Sequence, residues 1–566
     1  MNDLPWARNY DKGVPLHIDY PQVPLFQFLD DSAKKYPDIS CTIFKGARIS
    51  FKEMGRITDQ VAAALVDLGV NKGDRVGIFM PNSPQFVMAY FGILKAGGVV
   101  VAVNPLYTAK EIEYQVNDAG IEVMFLMSNF YKVMKAALPN TRIKKLIVSN
   151  IKEALPPLLR FLFTLAKEKK GGHRIEGGLA EGEIWLNELV ARYASAERPK
   201  LDIGPEDVAL FQYSGGTTGI SKGAVALHRN VVANTLQIKK WLVTLEEGKE
   251  LVLMAIPLFH VYGMVCGMNF ALASGASMVM VPNARDIPDV LENIDKYRTS
   301  IFPGVPTLYN AINVNPAVQA GKYNLRSIKA CISGSAPLMR ETKEKFEALT
   351  GGVVFEGYGL SEAPTATHCN PVVGKNKTGS IGMPFPDVDC RIVSLDDGIT
   401  VMPIGEIGEL ILRGPQVMKG YHNMPTETAN SLRTLPDGTG PWLFTGDIAR
   451  MDEDGYFYIV DRKKELIKPG GYQVWPREVE EAITSNPKVL EAGVAGIPDP
   501  YRGETVKAWI VVKPGETLTE DEIKTWCKER LASFKIPTHV EFRKELPKTT
   551  VGKILRRELV RQEKES

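Results

Sequence analysis

Short apolar runs alternate with helical patterns through the first part of the chain. An apolar run at Val76–Met80 is followed by Ser83 and Pro84, which suit the N-cap and the first position of a helix. Apolar residues then recur at helical spacing from Phe86 to Ile93, and after a Gly-Gly pair the run VVVAV predicts a second strand. Such a strand, helix, strand unit is typical of a mostly parallel sheet with ligand loops at the carboxyl ends of its strands.

The pattern changes near Asp461. The stretch GYFYIVDRK predicts a strand ending in charge, and it is followed by a helix starting at Pro476, strands at 489–497 and 507–512, and a helix with the capping box Thr519 to Glu522. We therefore predict an α/β protein with a large N-terminal, multi-sheet α/β domain (1–460) and a small, mobile C-terminal α/β domain (461–566). The sequence DRKK is the predicted joint.

One uncharged segment is long enough to cross a bilayer. No Asp, Glu, Lys or Arg occurs from Leu251 to Ala284. Pro257, His260 and Asn269 divide this segment into two strand-length runs around a helix. The pattern therefore favours a buried α/β core over a membrane span.

A second apolar segment, IKEALPPLLRFLFTLAKEKKGGHR at 151–174, ends in a basic run. One interpretation is a helix lying on a membrane surface. The favoured interpretation is a helix packed on the large domain with a solvated basic end, because many core helices share this pattern.

The composition is ordinary for a globular protein. The 566 residues are 44% hydrophobic and 24% charged, with a formal net charge of +2. Without a basic stripe or an RNA-binding or zinc-finger motif, no nucleic acid partner is expected. The six scattered cysteines form no metal-ligand spacing and are interpreted as reduced thiols. The N-terminal residues lack the apolar core of a signal peptide, so we expect a cytoplasmic protein, with peripheral contact at the inner membrane face left open through 151–174.

A glycine-rich loop is the first candidate for chemistry. The stretch YSGGTTGISKG, residues 213–223, has eight Gly, Ser or Thr residues in eleven positions and one lysine, Lys222. Backbone N–H groups of small residues converge on an anion without obstruction, and the lysine adds charge, so polyphosphate is the expected ligand. The order Ser221, Lys222, Gly223 is not that of a Walker A loop.

Five further motifs follow in order: ISGSAPL (332–338), EGYGLSEA (356–363), FTGDIA (444–449), DRKKELIKPGGYQVWPREVE (461–480) and PKTTVGKILRREL (547–559). Together with the glycine-rich loop they resemble the motif series of the adenylate-forming enzymes, which include acyl-CoA synthetases, luciferases and adenylation domains of peptide synthetases. The resemblance runs from about Pro24 to Leu559. Six spaced motifs are far more specific than any single one.

Within that superfamily the chain is most similar to bacterial-type long-chain-fatty-acid CoA ligases, through NPLYTAKEIEYQVNDAG (104–120), GSIGMPFPDVD (379–389), GPQVMKGYHNMP (414–425) and VDRKKELI (460–467). The resemblance implies a ligase in which a fatty carboxylate attacks the α-phosphate of ATP, giving acyl-AMP and pyrophosphate. The thiol of coenzyme A then displaces AMP. Mg²⁺ is the implied cofactor, the partners are fatty acid, ATP and coenzyme A, and a homodimer is left open.

The resemblance also implies the ATP- and AMP-binding residues. These are Ser214, Gly215, Gly216, Thr217, Thr218, Gly219 and Lys222 of the loop; Gly334, Ser335 and Ala336; Glu356, Gly357, Tyr358, Gly359 and Ser361; and Asp447 and Arg462. Tyr358 offers a face to adenine, and Asp447 can accept both ribose hydroxyls. Ser361 stands where the family often has Thr. Glu362 matches the magnesium ligand.

The implied catalytic residues are Lys553, His260 and Lys468. Lys553 matches the lysine that contacts the acyl carboxylate and the α-phosphate, and the family places a histidine like His260 at the mouth of the acyl tunnel. Rotation about the hinge residues Asp461 and Lys463 would exchange Lys553 for the loop that carries Lys468. Gly470 and Gly471 of that loop would leave room for coenzyme A. Subgroup members have a tryptophan gate, but Met264 occupies the comparable place here.

Two other functions remain open. An aryl- or other carboxylic acid CoA ligase would use the same machinery, because the acyl-pocket residues cannot be identified from the sequence. A noncatalytic, membrane-associated acyl- or nucleotide-binding protein would use 151–174 as its contact surface. A peptide-synthetase adenylation domain is disfavoured, since only a short segment follows Lys553 in this sequence.

Overall fold

The computed structural model describes residues 4–214, 221–549 and 552–565. The chain forms two compact units. The larger unit comprises Asn9–Val388 and Gly414–Asn430, and the smaller unit comprises Asp389–Arg413 and Ser431–Ser566 with the N-terminal residues up to Arg8. The domain boundary at Asp461 stays a prediction.

The described helices, in chain order, are α1 Gln27–Lys35, α2 Phe51–Asp67, α3 Pro84–Lys95, α4 Ala109–Ala119, α5 Tyr131–Ala137, α6 Pro157–Ala166, α7 Leu186–Arg192, α8 His228–Trp241, α9 Phe270–Ala273, α10 Ile287–Tyr297, α11 Pro306–Asn313, α12 Pro316–Gln319, α13 Arg340–Thr350, α14 Pro425–Ser431, α15 Pro476–Thr484, α16 Glu520–Lys528 and α17 Arg556–Glu565. A π-helix at Tyr262–Asn269 leads directly into α9.

The described strands are β1 Ser40–Phe44, β2 Ala47–Ser50, β3 Arg75–Phe79, β4 Val99–Ala102, β5 Val123–Met127, β6 Lys145–Ser149, β7 Ile184–Trp185, β8 Val208–Ser214, β9 Lys222–Leu227, β10 Leu251–Met254, β11 Ser277–Met280, β12 Ala330–Ser333, β13 Val353–Leu360, β14 Ala363–Cys369, β15 Met383–Pro384, β16 Asp389–Val393, β17 Gly408–Arg413, β18 Gly420–Tyr421, β19 Leu432–Arg433, β20 Trp442–Met451, β21 Phe457–Arg462, β22 Val489–Asp499, β23 Gly503–Val512 and β24 His539–Phe542.

The described residues of the larger unit form three sheets. The widest has the order β18-β9-β8-β4-β3-β5-β6-β7 and is parallel from β8 through β7, while β9 runs antiparallel to both β8 and β18. The second sheet has the order β10-β11-β1-β2, and the third has the order β12-β13-β14-β15. Buried apolar strands such as β4 and β5 are consistent with a sheet covered on both faces.

In the smaller unit, the part of the chain that the structure describes forms two sheets. One is antiparallel, with the order β16-β17-β20-β19 and with β21 pairing on β20. The other has the order β22-β23-β24. Val479 and Ile483 of α15 pack with Val494 and Ile510 of this three-stranded sheet in one buried cluster. This arrangement confirms the small α/β pattern that the sequence predicts after Asp461.

Local sequence signals are confirmed at several helix ends. Ser83 is the N-cap of α3, and its hydroxyl accepts the backbone N–H of Phe86 at 3.4 Å. Thr519 and Glu522 form the predicted capping box of α16. The uncharged segment from Leu251 also has the predicted form, with β10 and β11 on either side of the π-helix and α9. All six cysteines are free thiols.

The favoured interpretation of 151–174 as a packed core helix is wrong. In α6 none of the residues is buried, and Leu158 and Leu165 are each 70% exposed. Leu159, Phe161 and Leu162 are exposed as well. Sequence pattern misled here because an apolar stripe looks the same whether it faces a core or solvent. Across the described ranges, no helix is both long enough and apolar enough to span a bilayer.

Candidate functional site

Two of the predicted phosphate-binding residues, Ser214 and Lys222, lie on neighbouring strands of the larger unit. Ser214 is the last residue of β8, Lys222 is the first residue of β9, and the two are paired in the antiparallel register. The predicted phosphate-binding residues Gly215, Gly216, Thr217, Thr218 and Gly219 lie outside the described residues.

A second predicted nucleotide segment follows β12. Gly334 is buried, and a side chain at this position would meet the Tyr262 ring at 3.3 Å. The Tyr262 hydroxyl lies between the carbonyl oxygens of Gly304 and Ile332, at 2.9 and 2.6 Å. Ser335 has a left-handed backbone with φ of 70°. The chain therefore turns closely over Tyr262, leaving Ser335 exposed and Ala336 partly exposed.

The β13–β14 hairpin carries the next group. Tyr358 is partly exposed and stands across from His368, with ring centres 5.8 Å apart in an edge-to-face arrangement. Gly357 and Gly359 flank it on β13, and at Gly359 a side chain would collide with the Thr365 carbonyl. Because glycine is required there by close backbone approach, the hairpin holds the Tyr358 ring on a closely packed pair of strands.

Glu356, another predicted nucleotide residue, braces loops in this structure. Its carboxylate accepts the backbone N–H of Leu338 at 3.1 Å and that of Gly379 at 2.9 Å, and the residue is buried. Charge-assisted bonds of this kind order the segments that donate them. The side chain of Glu356 thus supports the segment that carries Gly334, Ser335 and Ala336.

Ser361 and Glu362 form the turn between β13 and β14, and both are partly exposed. The Glu362 carboxylate accepts the Tyr421 hydroxyl at 2.7 Å. No group of three or more His, Cys, Asp or Glu residues gathers as a metal site within the described part of the chain. A lone carboxylate fits Mg²⁺, which proteins commonly hold through one or two carboxylates together with substrate phosphates and water.

Sequence reasoning missed two residues next to this group, Tyr421 and Glu427. Glu427 pairs with Lys222, whose ammonium also lies 5.4 Å from the centre of the Tyr421 ring. Tyr421 belongs to a motif that carried the family resemblance, but its partner could not be seen there. Only the structure shows the relationship, because the pairing of β18 with β9 brings together residues that are about two hundred positions apart in the sequence.

His260 lies just before the π-helix. Burial lowers the pKa of His260 to about 4, so the imidazole is neutral near pH 7. Its Nδ1 accepts the backbone N–H of Tyr262 at 3.2 Å. The proton of the neutral ring is therefore on Nε2, which makes that nitrogen a donor suited to a carboxylate. Short π-helical stretches are frequent at functional sites.

A small, partly open apolar cavity of about 20 Å³ lies in the larger unit. Its lining comes from α8, the π-helix and the β12–β15 sheet: Ile238, Trp241, Leu242, Cys266, Ile332, Phe355, Gly357, Ala366, His368, Cys369 and Phe385. Gly357 adjoins Tyr358 in the chain, and Cys266 belongs to the π-helix that follows His260. The cavity thus shares structural elements with the predicted nucleotide and acyl residues of this unit.

In the smaller unit, Asp447 and Arg462 face each other on β20 and β21. Their Oδ1 and Nε atoms are 3.1 Å apart, and the Asp447 side chain is only 7% exposed. The sharp turn at Gly446, with φ of 71°, precedes Asp447. A buried carboxylate paired with a guanidinium at this distance is held in a single orientation.

Lys553 follows the Gly552 turn in the same unit. Its backbone N–H donates to the Thr549 hydroxyl at 3.1 Å, and its carbonyl accepts the Thr549 N–H at 2.8 Å. Burial, followed by the nearby positive charge of Arg462, lowers the pKa of Lys553 to about 8. Glu465 and Asp447 act in the opposite direction. The structure therefore brings together three predicted site residues, Lys553, Asp447 and Arg462.

Each of the two predicted hinge residues forms a contact with another segment of the smaller unit. Asp461 is buried, and its carboxylate accepts the backbone N–H of Arg477 at 2.6 Å. Lys463 donates to Glu409 at 2.7 Å, and the Glu409 side chain is only 6% exposed. Asp461 is thereby tied to the start of α15, and Lys463 to β17.

The predicted coenzyme A loop follows these residues. Lys468 is exposed, and its backbone N–H donates to Glu504 at 3.0 Å. Gly470 has a φ of 58° and donates its N–H to the Arg502 carbonyl at 2.9 Å. No atom lies within 4 Å of the position that a Cβ atom would occupy there. Gly471 ends the short 3₁₀-helix Pro469–Gly471. In this loop Lys468 is therefore exposed, and no side chain covers Gly470.

The family model for the AMP-binding enzyme matches residues 29–422, about two thirds of the chain. The chain belongs to the AMP-binding enzyme family. A second model, for the AMP-binding enzyme C-terminal domain, matches residues 478–553. All the predicted site residues except Asp447, Arg462, Asp461, Lys463, Lys468, Gly470 and Gly471 fall within one of these two matches.

Relatives of this AMP-binding enzyme align over essentially the whole chain. A long-chain-fatty-acid–CoA ligase of Bacillus subtilis is 43% identical, with 100% of this chain and 99% of that relative covered. One from Yersinia pestis is 37% identical over 98% of this chain and 97% of its own length. Among solved structures, ATP-bound MatB from Rhodopseudomonas palustris has a TM-score of 0.82 at 28% identity, covering 96% of this chain and 99% of that one. A Mycobacterium tuberculosis fatty acyl CoA synthetase has a TM-score of 0.71 at 26% identity, covering 95% and 98%.

Proposed function

We propose that this AMP-binding enzyme is an ATP-dependent fatty acyl-CoA ligase for medium- to long-chain acids. It joins a fatty carboxylate to AMP, releases pyrophosphate, and transfers the acyl group to coenzyme A. The observation that carries the proposal is full-length similarity to long-chain-fatty-acid–CoA ligases, at 43% identity to the one from Bacillus subtilis. The cluster of Lys553, Asp447 and Arg462 supports it from the structure.

In the first step, the protein must reduce the repulsion between a carboxylate and a polyanionic triphosphate. Lys553 supplies a positive charge for the acyl carboxylate and the α-phosphate, and Lys222 supplies one for the remaining phosphates. Asp447 accepts the ribose hydroxyls, with Arg462 holding its carboxylate in place. Tyr358 contacts adenine through its ring face. Glu362 would hold Mg²⁺, which supplies charge neutralisation at the phosphates.

In the second step, the thiol of coenzyme A attacks the acyl carbonyl and AMP leaves. The loop of Lys468, Gly470 and Gly471 serves this step, and Asp461 and Lys463 act as the hinge that exchanges it with Lys553. Separate loops for the two half-reactions keep water from the reactive anhydride. The exposed Lys468 and the open space beside Gly470 support this assignment.

The fatty chain enters the larger unit beside the small apolar cavity, which at about 20 Å³ must widen to hold it. Ligand sites for apolar molecules are concave and lined by hydrophobic and aromatic residues, with few polar groups. Trp241, Phe355 and Phe385 provide such a lining. His260, a neutral donor near this region of the chain, binds the carboxylate end.

The exposed helix α6 supports peripheral contact with the inner face of an anionic membrane. Arg160 folds back onto the preceding turn, donating to the carbonyls of Lys152 and Glu153 at 3.1 and 2.8 Å. The outer face of α6 is therefore apolar, and the exposed Lys169 and Lys170 follow it. Apolar insertion combined with basic residues is the pattern of helices that lie at lipid headgroups.

Two measurements with the purified full chain and Mg²⁺ test the proposed activity. Exchange of labelled pyrophosphate into ATP should depend on added fatty acid, and thioester formation should be faster with palmitate than with benzoate or cinnamate. A preference for the aromatic acids would replace the fatty substrate with an aryl acid. Absence of exchange with every acid, in folded protein that binds nucleotide, would favour the noncatalytic alternative.

A further inference from the structure

The phosphate lysine of the proposed site already has an anionic partner within the chain. The Lys222 ammonium pairs with the Glu427 carboxylate, and the Lys222 side chain is only 16% exposed. A largely buried ammonium requires a partner, because an unpaired charge away from water is costly. Glu427 is 42% exposed and can move into solvent when another anion takes its place.

The pair is positioned by the backbone of the segment 418–428. Lys419 donates its N–H to Val225, and His422 donates its N–H to Gly223 at 2.8 Å, so the segment is fixed along β9. Thr428 then links the two ends of the short turn, since its hydroxyl accepts the Tyr421 N–H and donates to the Met424 carbonyl, each at 2.9 Å. Glu427 therefore reaches the first residue of β9 through ordered backbone, unlike a freely rotating surface ion pair.

The same segment also holds the proposed magnesium carboxylate. Tyr421 donates its hydroxyl to Glu362 at 2.7 Å, while its ring lies beside the Lys222 ammonium. One segment thus contacts both groups that the proposed function assigns to the phosphates and their metal. Neither Tyr421 nor Glu427 was among the residues expected from the sequence.

We propose that Glu427 is an internal substitute for the triphosphate, which holds Lys222 in place and is displaced when ATP binds. The inference rests on the proposed function, since it requires nucleotide phosphates at Lys222. A carboxylate carries one negative charge and the triphosphate carries several, so the nucleotide competes successfully for the ammonium. Displacing Glu427 still lowers the net affinity, because the existing pair must first separate. Glu427 is in this sense a positioning residue that keeps Lys222 ordered without ligand.

The test is nucleotide binding to Glu427→Gln, measured by calorimetry with Mg²⁺ and a nonhydrolysable ATP analogue. Glutamine keeps the shape of the side chain but removes the competing charge. We expect the Kd to fall about two- to fivefold, the range for loss of one partly exposed ion pair. Glu427→Asp, which shortens the side chain and weakens the pair, should give a smaller decrease.

A double-mutant cycle identifies the cause of any change. In the Lys222→Met background, Glu427→Gln should no longer alter the Kd, because no ammonium remains to be released. The matched control is Glu122→Gln, which removes an exposed pair with Lys144 far along the chain and should leave the Kd unchanged. Thermal unfolding of each variant verifies that it is folded.

Three outcomes would overturn the inference. Unchanged binding by Glu427→Gln would show that the pair separates without competing with the nucleotide. Weaker binding would show that Glu427 contacts the nucleotide or its metal directly. A wild-type chain that does not bind the analogue would contradict the proposed function itself, whereas normal wild-type binding with either of the first two results would contradict only the role of Glu427.

Discussion

The Arg556 guanidinium donates to the Asp461 carboxylate at 3.0 Å and so links the start of α17 to β21. Arg556 also forms a bidentate pair with Glu480, at 2.8 and 2.6 Å, and contacts Glu465. All three carboxylates lie at most 22% exposed. Because Lys553 precedes Arg556 by three residues, the same guanidinium contacts the predicted hinge residue and adjoins the segment that carries the predicted catalytic lysine.

Removing this guanidinium should strongly destabilise the smaller unit. In Arg556→Gln, Glu480 and Asp461 would remain buried without a compensating cation, and loss of one partner of a buried pair costs about 3–5 kcal/mol. Urea unfolding should show this decrease in the free energy of unfolding. The control is Arg561→Gln on the same helix. Arg561 is 57% exposed and pairs with Glu558, which is 30% exposed, so the change there should stay within about 0.5 kcal/mol. Equal effects of the two substitutions would contradict the assigned role.

The rate of acyl-AMP formation should fall as the pH rises past about 8. Burial lowers the pKa of Lys553 to about 8, so the side chain loses its positive charge above that pH. The pH dependence of kcat/KM for ATP reflects the pKa values of ionisable groups in the free enzyme. Above the pKa of Lys553, kcat/KM should decrease by up to about tenfold per pH unit. In Lys553→Arg the guanidinium stays charged, and any remaining activity should lose this decrease. A decrease that persists in Lys553→Arg would assign the titration to another group.

The same pKa shift has a defined sign for stability. Between about pH 8 and the ordinary lysine pKa of 10.5, the unfolded chain retains a proton that folded Lys553 has released. Stability rises with pH wherever the unfolded state binds more protons, so Lys553 contributes a rise across this window. In Lys553→Met this contribution should disappear, which urea unfolding at pH 7.5 and 9.5 can measure. A pH dependence of the same size in the variant would exclude Lys553 as its source.

The two half-reactions should separate when the two predicted lysines are removed. Lys553→Ala should lose acid-dependent exchange of pyrophosphate into ATP by about 10²-fold or more, the scale for loss of a preorganised charge at a transition state, and should keep thioester formation from premade acyl-AMP. Lys468→Ala should show the opposite bias. Each variant is the control for the other. Equal damage to both half-reactions in either variant would contradict the separation.

Local sequence patterns such as helix caps predicted where helices begin, but they could not predict contacts between residues far apart in the chain. Ser83 and Pro84 identified the start of α3, and Thr519 with Glu522 identified that of α16, because caps depend on neighbouring residues only. The roles of Tyr421, Glu427 and Arg556 depend on partners 59 to 205 positions away or on several separate segments. No spacing rule within one motif contains that information. Family resemblance indicated the candidate site, and side-chain contacts in the structure identified these supporting residues.

At α6 the sequence pattern and the structure disagree most. A double substitution on its apolar face distinguishes a packed helix from an exposed, membrane-binding one. If Leu158 and Leu165 were core residues, replacing both with Asn would cost several kcal/mol of stability. Because each is 70% exposed, we expect the double variant to unfold within about 0.5 kcal/mol per substitution of the wild type. The same double variant should lose binding to vesicles rich in anionic phosphatidylglycerol by about tenfold or more, since insertion of apolar side chains drives such binding.

Flotation with vesicles distinguishes the apolar and basic contributions. Lys169→Gln combined with Lys170→Gln should weaken binding to anionic vesicles by roughly fivefold per charge and leave binding to neutral phosphatidylcholine vesicles unchanged, because each basic residue near an anionic surface contributes about 1 kcal/mol. Leu106→Asn is the matched control, since Leu106 is 62% exposed on a different part of the larger unit. If this control weakened vesicle binding as much as the α6 variant, lipid contact would be unspecific. If the α6 variant instead unfolded readily with unchanged vesicle binding, the helix would be packed after all, and membrane contact would have to be sought elsewhere on the chain.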